Sequence, residues 1–173
     1  PMISGDHPIQ NIFGIEATAK MTDGSSLLSH AKELGVSWAR LNARISWREL
    51  QPDENGPILW DQLATFEDEL KALAAANITP VVIVDDHPEW AVDIRPDGEV
   101  YYCAPIKPEK YSAFAEFMRQ LVERYKRYVK HWELGNEPDV DRVMVGPDWP
   151  FGCWGDISDL EFYGGRQYGD CLL

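Results

Sequence analysis

The chain has 173 residues, 45% of them hydrophobic and 12% aromatic, enough for a single globular domain that buries roughly 70% of its unfolded surface. Its formal charge of -13 argues against nucleic acid and anionic membrane surfaces, which are held by clustered Lys and Arg. A neutral ligand suits such a surface better, and no stretch resembles a signal peptide or a span of about 20 apolar residues, which leaves the compartment open.

One alternation repeats along the chain. Residues 12–18 (IFGIEAT) form a short, mostly apolar run, and the segment that follows sets Leu27, Leu28, Ala31 and Leu34 at helical spacing, with Ser25 or Ser26 as cap and Gly35 as stop. Residues 36–42 (VSWARLN) give a second strand. After a polar loop, residues 60–78 carry Leu63, Phe66, Leu70 and Leu73 on one helical face. Residues 79–86 (TPVVIVDD) are the near-continuous Val/Ile run of a strand buried on both faces, and the helix opening at Pro108 turns Phe114, Phe117, Leu121 and Tyr125 inward. A fourth strand at 130–136 (KHWELGN) precedes a loop rich in Asp, Gly, Pro and Trp, and residues 159–173 read as the opening of a fourth helix.

Strand, helix, strand, helix calls for a parallel sheet with right-handed crossovers. Either a small doubly wound sheet or part of a (β/α)8 barrel satisfies it. No Gly-rich phosphate loop follows the first strand, so the dinucleotide-binding version has little support. The long loops follow the second, third and fourth strands and carry the Trp, Asp, His and Glu residues, where a barrel builds its site. The expected fold is therefore α/β, a (β/α)4 half of a TIM barrel spanning residues 1–173 as one unit.

Residues 132–139 (WELGNEPD) resemble the fourth-strand motif of the clan A glycoside hydrolases. The resemblance implies a (β/α)8 barrel with Glu137 as general acid/base after Asn136, and a nucleophilic Glu at the end of strand seven. Arg40 resembles the clan's second-strand arginine, and His87 is similar to the histidine that often closes its third strand. A complete barrel needs about 250 residues, and strands five to eight, with the strand-seven nucleophile, are not found in this sequence.

Chemistry points the same way. Cleaving a glycosidic bond requires a proton for a poor leaving oxygen, a task for a carboxylic acid such as Glu137 at the mouth of a barrel. Asn136 can donate to a sugar hydroxyl beside the reacting carbon. Arg40 supplies fixed positive charge that would orient a carboxylate nucleophile. Each has a plainer alternative: Asn-Glu-Pro as a simple turn, Arg40 as the ion-pair partner of Glu133 within the barrel wall, and His87 as a loop histidine without a ligand.

Aromatic residues crowd the loops, among them Trp47, Trp90, Tyr101, Tyr102, Trp149, Phe151 and Trp154. Sugar C–H faces stack on such rings, so Trp47, Trp90 and Trp154 are expected substrate contacts, although about half of the loop aromatics should instead pack beneath the loops. Trp38, Trp60 and Trp132 are assigned to core. Asp85, Asp86 and His87 resemble metal ligands, but adjacent strand residues face opposite ways, and Asp139, Asp141, Asp148 and Asp156 match no calcium-loop spacing. No metal or cofactor is expected. Cys103 and Cys153, in loops that adjoin in a barrel, can pair in an oxidising, secretory setting, leaving Cys171 free.

Half a barrel exposes two sheet edges and an interior expected to be apolar, which favours association. The partners anticipated are a carbohydrate and either a second copy of the chain or a complementary half-barrel. The leading expectation is a fragment of a retaining glycoside hydrolase, weakly active or inactive alone. The alternatives are a carbohydrate-binding or self-assembling half-barrel without catalysis, and a doubly wound domain unrelated to sugars.

Overall fold

The computed structural model describes residues 12–17, 27–92, 104–139, 154 and 165–173. Four parallel strands stand in sequential order, β1 (Gly14–Ala17), β2 (Trp38–Ser46), β3 (Thr79–Asp85) and β4 (His131–Leu134). They are joined through α1 (Leu27–Glu33), α3 (Ala64–Ala75) and α4 (Tyr111–Tyr125); the single turn α2 (Trp47–Leu50) follows β2, and α5 (Gly165–Leu172) comes last.

The helices form where apolar spacing and stop signals dictate. Gly35 ends α1 at φ 69°, the left-handed conformation that glycine adopts without steric cost, while Leu34, Gly35 and Val36 donate back to carbonyls of the last turn. Leu34 itself is 73% exposed rather than on the inward face. Helix α4 turns Phe114, Phe117, Leu121 and Tyr125 inward, all buried, after a 3₁₀ turn opened by Pro108. Helix α3 contributes Phe66, Leu70 and Leu73. These side chains meet Leu41, Ile45, Val82, Val84 and Leu134 in one core on the helix side of the sheet, each large residue contributing roughly 1.5–3 kcal/mol of transfer free energy.

Strand β2 runs four residues past its expected end. Between Leu41↔Val82 and Ile45↔Val84 it spends four residues where β3 spends two. The excess is even, so the alternation survives the bulge and both Leu41 and Ile45 stay in the core.

The opposite face, which would line a barrel interior, differs from the apolar surface expected. Register pairs Glu16 with Arg40, Arg40 with Val81, Val81 with His131 and Ile83 with Glu133, and laterally paired residues point to the same side. The face thus carries Glu16, Arg40 and Glu133 beside Ile83. Trp38 lies there too, two residues before Arg40. Its ring meets His131 edge-on at 4.9 Å, so it is not part of the helix-side core, whereas Trp60 and Trp132 do pack partly buried against that core.

Candidate functional site

The site forms where the strands end. After β4 the chain bends: Gly135 takes φ 70° and its N–H donates to the Val84 carbonyl at 2.8 Å, and Glu137 takes φ 48°. The sharp turn ends the strand alternation and leaves Glu137 exposed, with no hydrogen-bond or ion-pair partner among the described residues. Tyr168 of α5 donates to the Leu134 carbonyl at 2.7 Å, bracing the end of β4 from below.

Arg40 and Asn136 are brought together. Arg40 grips Glu133 with two prongs, Nε to Oε2 at 2.8 Å and Nη2 to Oε1 at 2.6 Å, and Nη2 also donates to Asn136 Oδ1 at 2.8 Å. Its Nη1 lies 3.1 Å from Glu16 Oε1. The hydrogen bonds to Glu133, reinforced by the charges of Glu133 and Glu16, raise the guanidinium pKa above its ordinary value despite partial burial. Since a guanidinium only donates, the Asn136 oxygen must face it, and the Asn136 NH₂ is left as the donor for another group. The ion pair with Glu133 is therefore present, and the same arginine sets the Asn136 amide.

Replacing Arg40 by methionine strands the Glu133 carboxylate in a partly buried place. The expected loss is about 2 kcal/mol of unfolding free energy, read from urea midpoints. Arg40→Lys keeps the charge but not the planar fork and is expected to recover only part of it.

His87 is 1% exposed. Its Nδ1–H donates to the Ala104 carbonyl at 2.8 Å, and rings of Trp47, Phe114 and Trp154 surround it at 6.0–6.3 Å between centroids. Burial pushes its pKa down to about 4, only partly opposed by the Ala104 hydrogen bond, so the ring is neutral with Nε2 as an acceptor. That buried Nε2 has no hydrogen-bond partner among the described residues. The residue is thus a buried ring whose one open position is a lone pair.

Two of the three expected tryptophan contacts are corrected by burial. Trp47 is fully buried, packed on Trp90, Phe114 and Phe117, with its indole N–H on Gln51 Oε1 at 3.0 Å. Trp154 is 3% exposed, edge-on to His87 and Tyr168, and its backbone N–H holds the Pro138 carbonyl at 2.9 Å. Neither presents an open ring face to a sugar; both shape the floor beneath His87 and the Glu137 turn. Trp90 remains half-buried, its N–H on the Gln51 carbonyl at 3.2 Å and Lys110 Nζ 5.9 Å from its ring. Tyr101, Tyr102, Trp149 and Phe151 lie outside the described residues.

Asp85 and Asp86 go to different arginines. Buried Asp85, whose pKa burial raises and Arg44 lowers, accepts from Arg44 Nη1 at 3.0 Å. Asp86, at φ 56°, pairs with Arg48 Nη2 at 2.8 Å and accepts from the Ser46 hydroxyl. The Arg48 N–H also donates to the Asp86 carbonyl at 2.8 Å. These contacts tie α2 to the end of β3, and sequence spacing alone did not reveal them. Among the described residues no three His, Cys, Asp or Glu side chains converge as metal ligands. Asp141, Asp148, Asp156, Cys103 and Cys153 lie outside those residues; Cys171 is free, and burial pushes its thiol up to about 11.

No protein-family model matches the chain, and no curated protein matches it in sequence. Among solved structures it is similar to a family 1 β-glucosidase from Thermotoga maritima, at 26% identity and TM-score 0.53 over 84% of this chain and 30% of that one. The chain has a glycoside hydrolase-like fold. A β-glucosidase from Exiguobacterium marinum, 22% identical, agrees at TM-score 0.54, again over 84% of this chain and 30% of that one. This glycoside hydrolase-like chain spans about 30% of the length of these TIM-barrel neighbours, and its sequential parallel sheet fits a partial barrel.

Proposed function

We propose that the chain is the acid/base half of a retaining O-glycoside hydrolase site, with Glu137 as general acid/base, Asn136 as hydroxyl donor beside the reacting carbon, and carbohydrate as substrate. The observation that carries this reading is the Arg40–Asn136 bond one residue before Glu137. It fixes the amide so that its NH₂ is the group on offer, and it does so next to an exposed carboxylate that no other side chain among the described residues engages. The resemblance to β-glucosidases supports the substrate class.

Retention needs a second carboxylate about 5–5.5 Å from the first, and the dry enclosure in which a general acid works must come from whatever covers this face. Strands β1 and β4 are the sheet edges, so the half-barrel unit is completed either by strands five to eight of a complementary half or by a second copy. In a two-fold dimer each β1 would meet the partner's β4. The partner's acid/base would then occupy position eight rather than seven, so efficient hydrolysis requires the complementary half. Arg40, occupied by Glu133, Asn136 and Glu16, would offer that nucleophile only the edge held by Glu16.

The test is hydrolysis of an aryl β-glucoside by the chain alone and after mixing with a barrel half carrying strands five to eight, with light scattering to follow assembly. Turnover is expected only in the mixture and is expected to vanish in Glu137→Gln. Turnover indifferent to that substitution would remove Glu137 from the chemistry. Sugar binding that survives Glu137→Gln, with no turnover in any mixture, would favour a carbohydrate-binding half-barrel instead.

A further inference from the structure

A cleft of about 200 Å³ lies on the other side of β3 from the Glu137 turn, between the overrun of β2 with α2 and the first turns of α3. Its floor is apolar, with Leu50 and Phe66 both buried. Its rim is polar: Arg44, Ser46, Glu49, Gln62, Thr65 and Glu69. Arg44 spends Nη1 on Asp85, and its side chain is 40% exposed, so further N–H donors remain. Glu49 supplies acceptors, and Gln62 and Thr65 supply both.

We propose that this cleft is an accessory binding position for a single neutral pyranose, distinct from the Glu137 site. The volume falls below the roughly 300–1,000 Å³ of pockets for drug-sized ligands, which suits one ring rather than an oligosaccharide. A sugar ring has C–H faces for the Leu50 and Phe66 floor and hydroxyls that both donate and accept, matching a rim that does the same. The Arg44 charge is already balanced by buried Asp85, so the cleft does not favour an anion. Because Arg44 is also the partner of Asp85 at the end of β3, an occupant bonding Arg44 braces the strand that leads into Asp86 and His87. The choice of a sugar rests on the glycoside reading of the chain; the location of the cleft does not.

The test is a titration of the unmodified chain with methyl β-D-glucopyranoside, followed by amide NMR shifts. Saturable shifts in the millimolar range are expected at Gln62 and Thr65. Thr65→Phe, which fills the rim from an exposed helix position, is expected to weaken that binding at least tenfold, whereas Glu137→Gln leaves it intact. Shifts confined to residues 135–137 would overturn the accessory site while sparing the proposed function. Shifts at Gln62 that persist unchanged in Thr65→Phe would overturn it as well, and so would an absence of shifts at either place, which would also count against sugar binding by the chain.

Discussion

Replacing Trp47 by alanine is expected to cost about 3–5 kcal/mol of unfolding free energy, the range for emptying a buried aromatic position. The total available to a domain is only roughly 5–15 kcal/mol, so the variant should be marginal. The indole is fully buried at the start of α2, 5.0 Å from Trp90, 5.2 Å from Phe114 and 5.5 Å from Phe117 between ring centroids. It therefore joins the end of β2 to the inward face of α4 and to the floor under His87. Trp47→Phe keeps most of the volume but leaves the Gln51 side chain without its N–H donor, and is expected to cost about 1–3 kcal/mol. Urea midpoints followed by circular dichroism provide the measurement. An unchanged midpoint together with weakened sugar binding would mean that Trp47 is a platform for ligand after all, and the packing account would fail.

Trp47 also shows what a sequence can and cannot tell. Whether a loop aromatic is covered depends on what lies above it in space, and neither spacing nor residue type reports that. The stripes of α3 and α4 and the Val/Ile run of β3 were readable because their burial repeats at the period of the element itself. The overrun of β2 is hidden in the sequence because residues 43–46 (ARIS) mix charge and apolar character as a loop does, and the bulge that keeps Ile45 in phase has no local signature. Helix α2 is a single turn, too short for periodicity, yet Ser46 and Glu49 stand in the Ser-x-x-Glu spacing of a capping box, and the Ser46 hydroxyl accepts from the Glu49 N–H at 3.0 Å. That signal was available.

The barrel-facing side of the sheet carries the same lesson for the site. Glu16, Arg40 and Glu133 are each a charged residue inside a strand, and three charges that share a face once the strands are in register are the trace of a charged interior. Register, however, comes from pairing and not from any one strand. The Arg40–Glu133 pair could be anticipated from alternation along β4. The further bond to Asn136 could not, because the turn through Gly135 and Glu137 breaks that alternation and decides where the amide lies.

Acid should destabilise the chain through His87 in particular. Its folded pKa of about 4 lies below the ordinary histidine value of 6.5, so protons bind the unfolded chain more readily. The stability contributed by keeping this ring neutral is fully present above pH 6.5 and is lost as pH falls from there through 4. A difference of that size corresponds to about 3 kcal/mol, at about 1.4 kcal/mol per unit. Burial is the dominant cause, and a charged ring would sit among Trp47, Phe114 and Trp154 with its Nε2–H facing no acceptor among the described residues. His87→Gln removes the titration while keeping a donor for the Ala104 carbonyl. Carboxylates such as Glu67, held low by its hydrogen bond from Arg124, lose stability over the acid range in both proteins and form a shared background. Urea unfolding at pH 7.5 and pH 4 should therefore show the parent chain losing about 3 kcal/mol more than His87→Gln between the two conditions. Equal losses would mean that water or a ligand group reaches Nε2 and accommodates the proton, which would return His87 from the floor of the site to its accessible surface.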